Sequence, residues 1–481
     1  MARRASLAAV ASAALLVIVT LVPAAATTQA GVGELTVMTR NLMFGTDLGP
    51  IVAATTEFEF VSAVAGAFTQ AQASDFPGRA EAWADEIERT RPDLIGLQEA
   101  ALWRTQTPAD FSPTPNATTV ETDLVALLLA ELHSRGLKYE VVIAQTGTDI
   151  EAPGLFPNGL VDVRLTQREV ILARKTPGLK LTNAQGGQYA AYLTVPTVIG
   201  VPVALPWAWA SVDVTRSGQS FRFATTHLDP ISGVVQRLRA DEFMAGPGDT
   251  PLPIVWVGDF NSDAEGSVIT GVPAATATYQ SIIASGYADA LAARHPSNPG
   301  FTCCQATNLL NPTSTLTERV DLVLTRGPFH VGEASLIGDE ASDRLPNGLW
   351  PSDHAGVVVT LELENDDESQ CLVVREGVFD DRSRAESAWP NSDGTPTGGD
   401  VDPGDRIPDS LWGRAVADGE RGPGDHTGVV CIAHGNRSSS ERLPATIGGD
   451  DPCDPCRNVL VGRWPRALPS LCRRGIADHH P

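Results

Sequence analysis

Asp259 and Asn261 stand at the end of a strongly apolar run, in "PIVWVGDFNSDAEGS" at 253–267. An ordinary turn is one interpretation, because Gly, Asp, Asn and Ser are frequent turn residues. The other interpretation is that a buried strand delivers a carboxylate and an amide to a centre of phosphoryl transfer. Asp263 and Glu265, slightly further along, fit a turn and a helix start better than a site.

Other polar side chains stand where further apolar runs begin or end. Taken singly, each is compatible with a turn residue or a satisfied buried polar group. Taken together, they lie at successive strand ends of one domain, and open α/β sheets place their sites at such a rim. Glu99 in particular suits a hard cation, since Mg²⁺ takes one or two carboxylates and keeps several waters. The set consists of Asn41, Glu99, His227, Asp321, Asp353 and His354.

A second group of charges lies within "VDVRLTQREVILAR" at 161–174, which contains Asp162, Arg164 and Arg168. An arginine near the rim would be able to bind a substrate phosphate. An ion pair at a strand edge is the commoner use of such residues. Both interpretations stay open at this point.

From about residue 34 to residue 364, short apolar runs alternate with amphipathic stretches. Strands mixed with helices at this density indicate an α/β layered domain rather than an all-β sandwich. The pattern predicts strands at 35–42, 93–99, 139–145, 168–174, 207–214, 221–228, 253–259, 319–326 and 355–363, and helices at 79–91, 122–136 and 234–244.

Residues 45–77 interrupt this pattern as a long insertion that is too apolar for a flexible linker. A long ordered segment near a site is often a lid. A helix pair that packs on the edge of the domain is the alternative, and the sequence does not separate the two.

The first thirty residues have the pattern of a signal peptide rather than of folded structure. A basic start, "MARR", precedes an apolar stretch and small residues around "AAATTQA". The apolar stretch is short for a membrane span, and no later segment is long and apolar enough to cross a bilayer. The sequence therefore predicts an exported protein without stable membrane insertion.

Charge and cysteine content limit the partners further. The net charge of −23 argues against a broad nucleic-acid-binding face, although a bound metal ion would still permit catalysis on a phosphate. Seven cysteines permit disulfides and leave at least one thiol unpaired. A disulfide between the adjacent Cys303 and Cys304 would be strained, so we expect them to pack or to pair elsewhere.

Residues 365–481 form a tail that is rich in Gly, Pro, Asp and Arg and has little apolar periodicity. Such a segment buries too little apolar surface to fold alone, so we expect it to be disordered or poorly structured. Four of its residues, Cys431, His434, Cys453 and Cys456, are spaced as a possible zinc site, but their flanks show no strand or helix signal.

Six motifs in order, "RNL", "GLQE", "TTHLD", "GDFNS", "ERVDLVL" and "SDHAGV", resemble those of the endonuclease/exonuclease/phosphatase superfamily. The resemblance spans residues 35 to 363. It implies a DNase-I-like four-layer α/β sandwich, in which two central, mostly antiparallel or mixed sheets are flanked by helices. "RNLMFGTDL" and "FPGRAEAWADEI" are similar to a bacterial exported subgroup.

The resemblance also implies roles at the site. It assigns metal binding to Glu99, supported by Asn41, with Asp353 as a second metal-side carboxylate. It implies that Asp259 orients or deprotonates the attacking water. The remaining roles it implies are a phosphate oxygen contact for Asn261, a phosphate contact for His354, orientation of His354 by Asp321, and a phosphate or leaving-group contact for His227.

The implied activity is Mg²⁺- or Mn²⁺-dependent hydrolysis of a phosphate ester by direct attack of water. Three functions remain open: a phosphodiesterase of nuclease type, which we favour slightly; a lipid-directed hydrolase of sphingomyelinase or phosphoinositide-phosphatase type; and a non-catalytic binding protein that reuses the fold. A filled set of catalytic-type positions makes the last the weakest. A monomer is assumed.

Overall fold

The computed structural model describes residues 34–112, 114–200, 202–266, 275–363, 371–375 and 427–431. The predicted signal peptide and most of the predicted tail lie outside these residues. The chain divides into two compact units, residues 1–363 and 364–481.

The first unit alternates strands and helices along most of its length. In chain order its elements are β1 (Glu34–Asn41), α1 (Gly49–Ala53), α2 (Glu57–Ala73), α3 (Phe76–Thr90), β2 (Leu94–Gln98), β3 (Leu102–Gln106), β4 (Thr119–Asp123), α4 (Leu124–Ser134), β5 (Tyr139–Phe156), β6 (Gly159–Arg174), β7 (Leu179–Gln188), β8 (Leu193–Val195), β9 (Val203–Leu205), β10 (Ala208–Arg216), β11 (Gln219–His227), α5 (Gly233–Ala245), β12 (Ile254–Asp259), α6 (Ala275–Ala284), β13 (Ala288–Asp289), α7 (Ala290–Arg294), β14 (Asp321–Arg326), β15 (Phe329–Ile337) and β16 (Gly356–Leu363).

Two mixed sheets form the centre of the unit. The first has eight strands, in the order β15-β16-β1-β2-β6-β3-β4, with β5 paired to β6. The second has six strands, in the order β13-β14-β12-β11-β10-β7. Within each sheet one pair is parallel, β1 with β2 and β11 with β12, while their other neighbours run antiparallel.

Three apolar cores separate four layers. One core joins the first sheet to α2, α3 and α4, and includes Phe60, Trp83 and Leu128. The second lies between the sheets, where Val37 of β1 and Val257 of β12 are fully buried. The third joins the second sheet to α5 and α6. The predicted four-layer α/β architecture is therefore confirmed.

Two glycines allow close backbone contacts beside the predicted site, Gly96 with the opposite sheet and Gly258 with the neighbouring strand β11. A Cβ atom on Gly96 would lie 2.5 Å from Val257 Cγ2 of the opposite sheet. Gly258 has a φ of +148°, and a Cβ atom there would lie 2.1 Å from the Thr226 carbonyl oxygen. Only glycine fits such a backbone position. Gly258 thereby fixes the backbone immediately before Asp259.

The insertion at 45–77 is a packed helix pair rather than an open segment. Thr56 caps α2 with a reciprocal capping box to Glu59, which defines where the helix begins. The apolar side chains of α2, among them Phe60 and Val64, lie in the core of the first sheet. Gln70 near its other end donates to the Thr307 carbonyl oxygen at 2.9 Å. The packing interpretation is the one that the contacts support.

The second unit is described only at β17 (Cys371–Arg375) and β18 (Thr427–Cys431), which pair antiparallel. The prediction for the rest of the tail, and for zinc binding by His434, Cys453 and Cys456, falls outside the described residues. Among the described residues, no helix is long and apolar enough to span a membrane.

Candidate active site

Strand register brings the predicted residues to one edge between the two sheets. His227 at the end of β11 is paired with Asp259 at the end of β12, and Asp259 is paired with Asp321 at the start of β14. In the other sheet, Asn41 pairs with the residue before Glu99. Residues 353–354 precede β16, whose start lies beside the end of β1. The structure thus gathers all eight predicted residues at one rim.

Asp259 lies at the centre of this group and is 1 % exposed. Its Oδ2 accepts a hydrogen bond from Asn41 Nδ2 at 3.0 Å and lies 3.4 Å from His227 Nε2 and 3.8 Å from His354 Nε2. Burial raises the pKa of Asp259 to about 8; the charge of Asp321 adds to the shift, while that of His354 opposes it. A carboxylate with a raised pKa that faces two imidazoles is suited to accept a proton.

His354 is held by a carboxylate on its other side. Its Nδ1 lies 2.7 Å from Asp321 Oδ2, which leaves Nε2 directed towards Asp259. Burial opposes the charged form of His354, but the carboxylates of Asp321 and Asp259 outweigh it and raise the pKa well above the usual value. His354 is therefore protonated at neutral pH and carries positive charge to the rim.

His227 has the opposite electrostatic environment. Burial is the main cause that lowers its pKa well below the usual value, and the charges of His354 and Arg239 add to it. Gln167 Nε2 lies 3.1 Å from His227 Nδ1, and the Trp207 ring lies 4.1 Å from the imidazole, centroid to centroid. Gln167 donates to Nδ1, so the neutral imidazole presents its Nε2 proton to Asp259.

Gln167 and Glu169 on β6 were missed in the sequence. Glu169 is fully buried, its Oε1 lies 3.9 Å from His227 Nδ1, and burial raises its pKa well above the usual value. A signal was present, because alternate residues of a strand share a face. Gln167 and Glu169 continue the face of Ile171 and Ala173, which point into the core between the sheets.

Glu99, Asn41 and Asp353 form the oxygen-rich side of the rim. Glu99 Oε1 accepts from Asn41 Nδ2 at 3.1 Å, and its Oε2 accepts from the Phe44 amide at 3.1 Å. Burial raises the pKa of Glu99 to about 7, and the charge of Asp353 adds to it. Two carboxylates that repel each other beside an amide are a donor set for a hard cation. These residues fit Mg²⁺ or Mn²⁺.

A second set of close donors competes for that role. Asp259, Asp321 and His354 each offer one ligand atom, and these atoms all lie within 4.8 Å of one another. In that set the protonated His354 already lies between the two carboxylates and neutralises part of their charge. The Glu99 side suits a cation better, because no positive side chain is hydrogen-bonded to either of its carboxylates among the described residues.

Asn261 is positioned by its backbone and by α5. Its φ is +48°, in the left-handed region that few side chains adopt without a compensating constraint. Its amide donates to Asp259 Oδ1 at 2.9 Å, and its Nδ2 donates to the Leu228 carbonyl at 3.2 Å. Gln236 Nε2 on α5 donates to the carbonyl oxygens of Asn261 and Asp229. These bonds hold the loops after β11 and β12 together.

Two buried arginines donate hydrogen bonds to the main chain of the loop that carries Asp353 and His354. Arg40 forms a bidentate pair with Glu86 at 3.0 Å and also donates to the His354 carbonyl oxygen. Arg79 on α3 donates to the Pro351 carbonyl at 2.8 Å and to the Met43 carbonyl at 2.9 Å. Arg79 thus joins the loop after β1 to the loop before β16.

We expect Arg79→Met to destabilise the protein and to lower its activity, whereas Arg89→Met, on the exposed side of the same helix, should do neither. Burial lowers the pKa of Arg79 to about 9, so the side chain stays charged at neutral pH. Its loss removes a donor from the buried carbonyls of Leu42 and Met43, at about 1–3 kcal/mol for each one left unpaired, while the Pro351 carbonyl keeps its bond from Trp83 Nε1. Urea unfolding measures the effect, and equal stability of the two variants would contradict this positioning role.

The remaining predicted charges lie away from the rim chemistry. Arg164 forms a bidentate pair with Asp149, with distances of 2.8 and 2.6 Å, and Arg168 pairs with Asp123 at 2.6 Å. Asp162 accepts from the Asp110 amide at 2.7 Å. The ion-pair interpretation of the two arginines is confirmed, so both guanidinium groups are engaged within the fold.

Asp263 and Glu265 act as turn and bridging residues. Asp263 Oδ1 accepts from the amides of Glu265 and Arg319, each at 3.0 Å. Glu265 Oε1 pairs with Arg319 Nη2 at 2.6 Å. The predicted turn role of Asp263 agrees with these contacts, whereas Glu265, which was expected at a helix start, lies in a turn, and the next described helix, α6, begins at Ala275.

The expectation that Cys303 and Cys304 pack or pair elsewhere is wrong, because the two residues are joined to each other by a disulfide. Main-chain hydrogen bonds hold this segment on both sides. Cys303 N donates to the Glu318 carbonyl at 2.9 Å, and Gln305 N donates to the Asp353 carbonyl at 2.7 Å. These hydrogen bonds to Glu318 and Asp353 join residues that are distant in sequence, so the sequence did not display them.

Residues 64–354 match the sequence profile described as "Endonuclease/Exonuclease/phosphatase family". No curated protein matches the chain significantly. Similar solved structures include an endonuclease/exonuclease/phosphatase from Beutenbergia cavernae, at 21% identity over 72% of this chain and 75% of that chain with a TM-score of 0.43. They also include a mannosyl-6-phosphatase from Bacteroides thetaiotaomicron, at 16% identity over 68% of this chain and 99% of that chain with a TM-score of 0.42. A third is D. rerio TDP2 complexed with single strand DNA product, at 18% identity over 68% of this chain and 99% of that chain with a TM-score of 0.37.

Proposed function

Because the chain belongs to the endonuclease/exonuclease/phosphatase family, whose members hydrolyse phosphate esters, we propose that it is an exported, Mg²⁺-dependent phosphodiesterase of nuclease type. The observation that carries the proposal is Asp259, a buried carboxylate with a raised pKa that contacts Asn41. It faces two imidazoles, of which His227 is neutral and His354 is positively charged. A non-catalytic protein has no need of such an arrangement, since burying these charges is costly.

Each residue has a defined task in this proposal. Asp259 accepts the proton of the attacking water and directs the water towards phosphorus. Protonated His354, fixed by Asp321, donates to a non-bridging phosphate oxygen and stabilises the charge that develops there. Neutral His227 donates its Nε2 proton to Asp259 in the ground state and is in place to contact the substrate phosphate. Asn261 supplies an amide to a second phosphate oxygen.

Glu99, Asn41 and Asp353 would hold the cation. When bound, Mg²⁺ supplies Lewis-acid stabilisation to the phosphoryl oxygens. The negative charge shared by Glu99 and Asp353 is compensated in that state, which removes the repulsion that contributes to the raised pKa of Glu99. Phosphoryl transfer depends on positioning and charge neutralisation, and this donor set serves both.

The two charge states predict how the rate depends on pH. Asp259 must be ionised, and its pKa is raised to about 8, so kcat/KM should rise with pH and level off at or below pH 8. Below the apparent pKa the slope should be about tenfold per pH unit. His354 must stay protonated, so the rate should fall again at alkaline pH. Asp321→Asn removes a charge that raises the pKa of His354, and it should move the alkaline limb to lower pH. A rate that falls steadily between pH 5 and pH 8 would contradict these assignments.

We propose nucleic acid as the preferred substrate over lipid because most large apolar side chains of the insertion at 45–77 pack against the core, and only Val52 and Phe58 among them are exposed. An apolar insertion that stayed exposed would have been a candidate for a membrane-docking surface. Arg164 and Arg168 are used in internal ion pairs, so substrate binding would rely on the cation and a few local contacts. A shallow dependence of affinity on salt would accompany such binding.

A lipid substrate remains the second candidate because of one surface feature. Ile231, Val234 and Leu238 are 56%, 72% and 50% exposed and extend from the loop after His227 along the outer side of α5. Exposed apolar side chains in a row beside a site are able to contact a membrane surface.

A triple variant, Ile231→Ser/Val234→Ser/Leu238→Ser, separates the two candidates. If the substrate is nucleic acid, hydrolysis of DNA, RNA and a soluble chromogenic diester should be unchanged within about twofold, because exposed substitutions away from special features have small effects. Strong vesicle hydrolysis by the wild type, lost in the triple variant and retained in a Val141→Ser control on β5, would establish the lipid alternative. The assays use sphingomyelin and phosphoinositide vesicles beside the nucleic acids.

A further inference from the structure

Cys303 and Cys304 take no part in the hydrolysis proposed above, yet they lie directly beside it. Cys303 is 5% exposed, whereas Cys304 is on the exposed side of the segment. The Cys304 sulfur lies 4.0 Å from His354 Nε2. That nitrogen is the one that the proposed mechanism directs to the substrate phosphate. A chemical change at these sulfurs therefore affects the His354 nitrogen that faces the substrate.

The His354 ring is already oriented in the way that proteins orient a metal-binding histidine. Its Nδ1 lies 2.7 Å from Asp321 Oδ2, which leaves Nε2 as the nitrogen with a free lone pair once its proton is lost. A carboxylate on the far nitrogen fixes the ring and raises its basicity as a ligand. A ligand site at Nε2 thus needs no reorganisation of the imidazole.

The three donor atoms are close enough to share one ion. Cys303 Sγ, Cys304 Sγ and one His354 ring nitrogen all lie within 4.8 Å of one another. Zinc bonds of about 2.3 Å to sulfur and about 2.0 Å to nitrogen place tetrahedral ligands roughly 3.5–4 Å apart, so small side-chain movements suffice. Thiolates with an imidazole select zinc and other thiophilic ions, unlike the oxygen donors Glu99 and Asp353.

We propose that reduction of the Cys303–Cys304 disulfide creates a binding site for a thiophilic divalent ion, with both sulfurs and His354 Nε2 as ligands, and that the bound ion inhibits hydrolysis. A dithiol reductant supplies two electrons and two protons, becomes a cyclic disulfide and leaves two cysteine thiols. The ion then displaces three protons to solvent, one from each thiol and one from Nε2 of His354, and takes the lone pair that Nε2 gains. His354 can no longer donate to a phosphate, so the oxidised protein is the active form.

The binding arm of the test uses the reduced full-length protein with Cd²⁺ as the probe. Cysteines of the tail contribute a background of Cd²⁺ binding. The matched control is therefore Cys304→Ser, which changes only the exposed member of the pair. Wild-type protein should bind a single additional Cd²⁺ relative to Cys304→Ser, with thiolate charge-transfer absorption. His354→Ala should weaken that additional binding by about tenfold or more, the range seen for disturbed ligand spheres. Equal Cd²⁺ binding by wild type and Cys304→Ser would overturn the proposal.

The activity arm rests on the proposed function and compares oxidation states of the same protein. With Mg²⁺ in excess, one equivalent of Cd²⁺ should lower the rate of the reduced wild type by about 10²-fold or more, as expected for loss of a donor that stabilises developing charge. For oxidised wild type and for reduced Cys304→Ser, the rate of hydrolysis with Cd²⁺ should equal the rate without it. Equal inhibition of oxidised and reduced protein would mean competition at the Mg²⁺ site and would overturn the proposal.

The two arms separate this inference from the proposed function. If the oxidised protein hydrolyses no phosphate ester, the proposed function fails, and the difference in Cd²⁺ binding still decides whether the site exists. If hydrolysis is observed and the additional Cd²⁺ is absent, the metal site alone is refuted.

Discussion

Asp259→Asn should lower kcat on a phosphodiester by about 10²–10⁴-fold, the contribution typical of a positioned general base. The amide keeps the shape of the side chain, but one of its two hydrogen-bond acceptors becomes an NH₂ donor, and it cannot accept a proton from water. Because burial destabilises the ionised form of Asp259, whose pKa is raised to about 8, the neutral amide offsets part of the cost of the lost acceptor, and the fold should persist. KM should change little, since the lost interaction is made mainly in the transition state.

The matched control is Asp263→Asn. Asp263 is also fully buried and follows the same strand, but it accepts from main-chain amides, which an asparagine Oδ1 also does. Its activity should stay within a few fold of the wild type. An inactive Asp263→Asn beside an active Asp259→Asn would show that the motif has been assigned to the wrong carboxylate.

The second large effect concerns the cation. Exhaustive chelation should remove almost all activity, and Mg²⁺ or Mn²⁺ should restore it, because the oxygen donors of Glu99, Asn41 and Asp353 favour hard ions. Glu99→Gln removes one negative ligand. If the cation contributes several kcal/mol of transition-state stabilisation, the rate at limiting Mg²⁺ should fall by about 10²-fold or more.

High Mg²⁺ should recover part of the Glu99→Gln activity, which distinguishes weakened binding from lost chemistry. Glu81→Gln, an exposed change on α3, is the control and should behave as the wild type does. Full activity after chelation would show that the donors at this rim serve another purpose.

Much of the fold was predictable where apolar periodicity is strong. The predicted strands that end at Asn41, Glu99, His227 and Asp259 match β1, β2, β11 and β12 within a few residues. β2 and β12 are fully buried and mostly apolar, whereas β1 and β11 mix apolar residues with polar ones. Their ends could be recognised because a polar residue follows each apolar run.

The sequence was less informative where strands are partly exposed. β5 and β6 run together as a long hairpin over Tyr139–Phe156 and Gly159–Arg174, but only their outer parts were predicted. The central stretch, "TGTDIEAPGLFPNG", consists mostly of residues that are common in turns. β7 was missed because it is an exposed edge strand with polar side chains. Pairing with neighbouring strands, which the sequence does not display, creates these elements.

At the site, the sequence identified the residues at strand ends but not those that hold them. Glu169 and Gln167 sit inside β6, and Arg79 lies on the buried face of α3, so none of them interrupts an apolar run at its end. Their partners are distant in sequence, such as Pro351 for Arg79. Such contacts follow from packing the two sheets and their helices together, and only the structure provides them.

The stereochemical course at phosphorus tests the central claim most directly. Hydrolysis of a phosphorothioate diester with one chiral phosphorus, in ¹⁸O-labelled water, reports whether water attacks phosphorus in a single displacement. If Asp259 directs water onto phosphorus without a covalent intermediate, the configuration of the product should be inverted. Retention would reveal a phosphorylated enzyme and contradict the account, as would the absence of hydrolysis in the presence of Mg²⁺ or Mn²⁺.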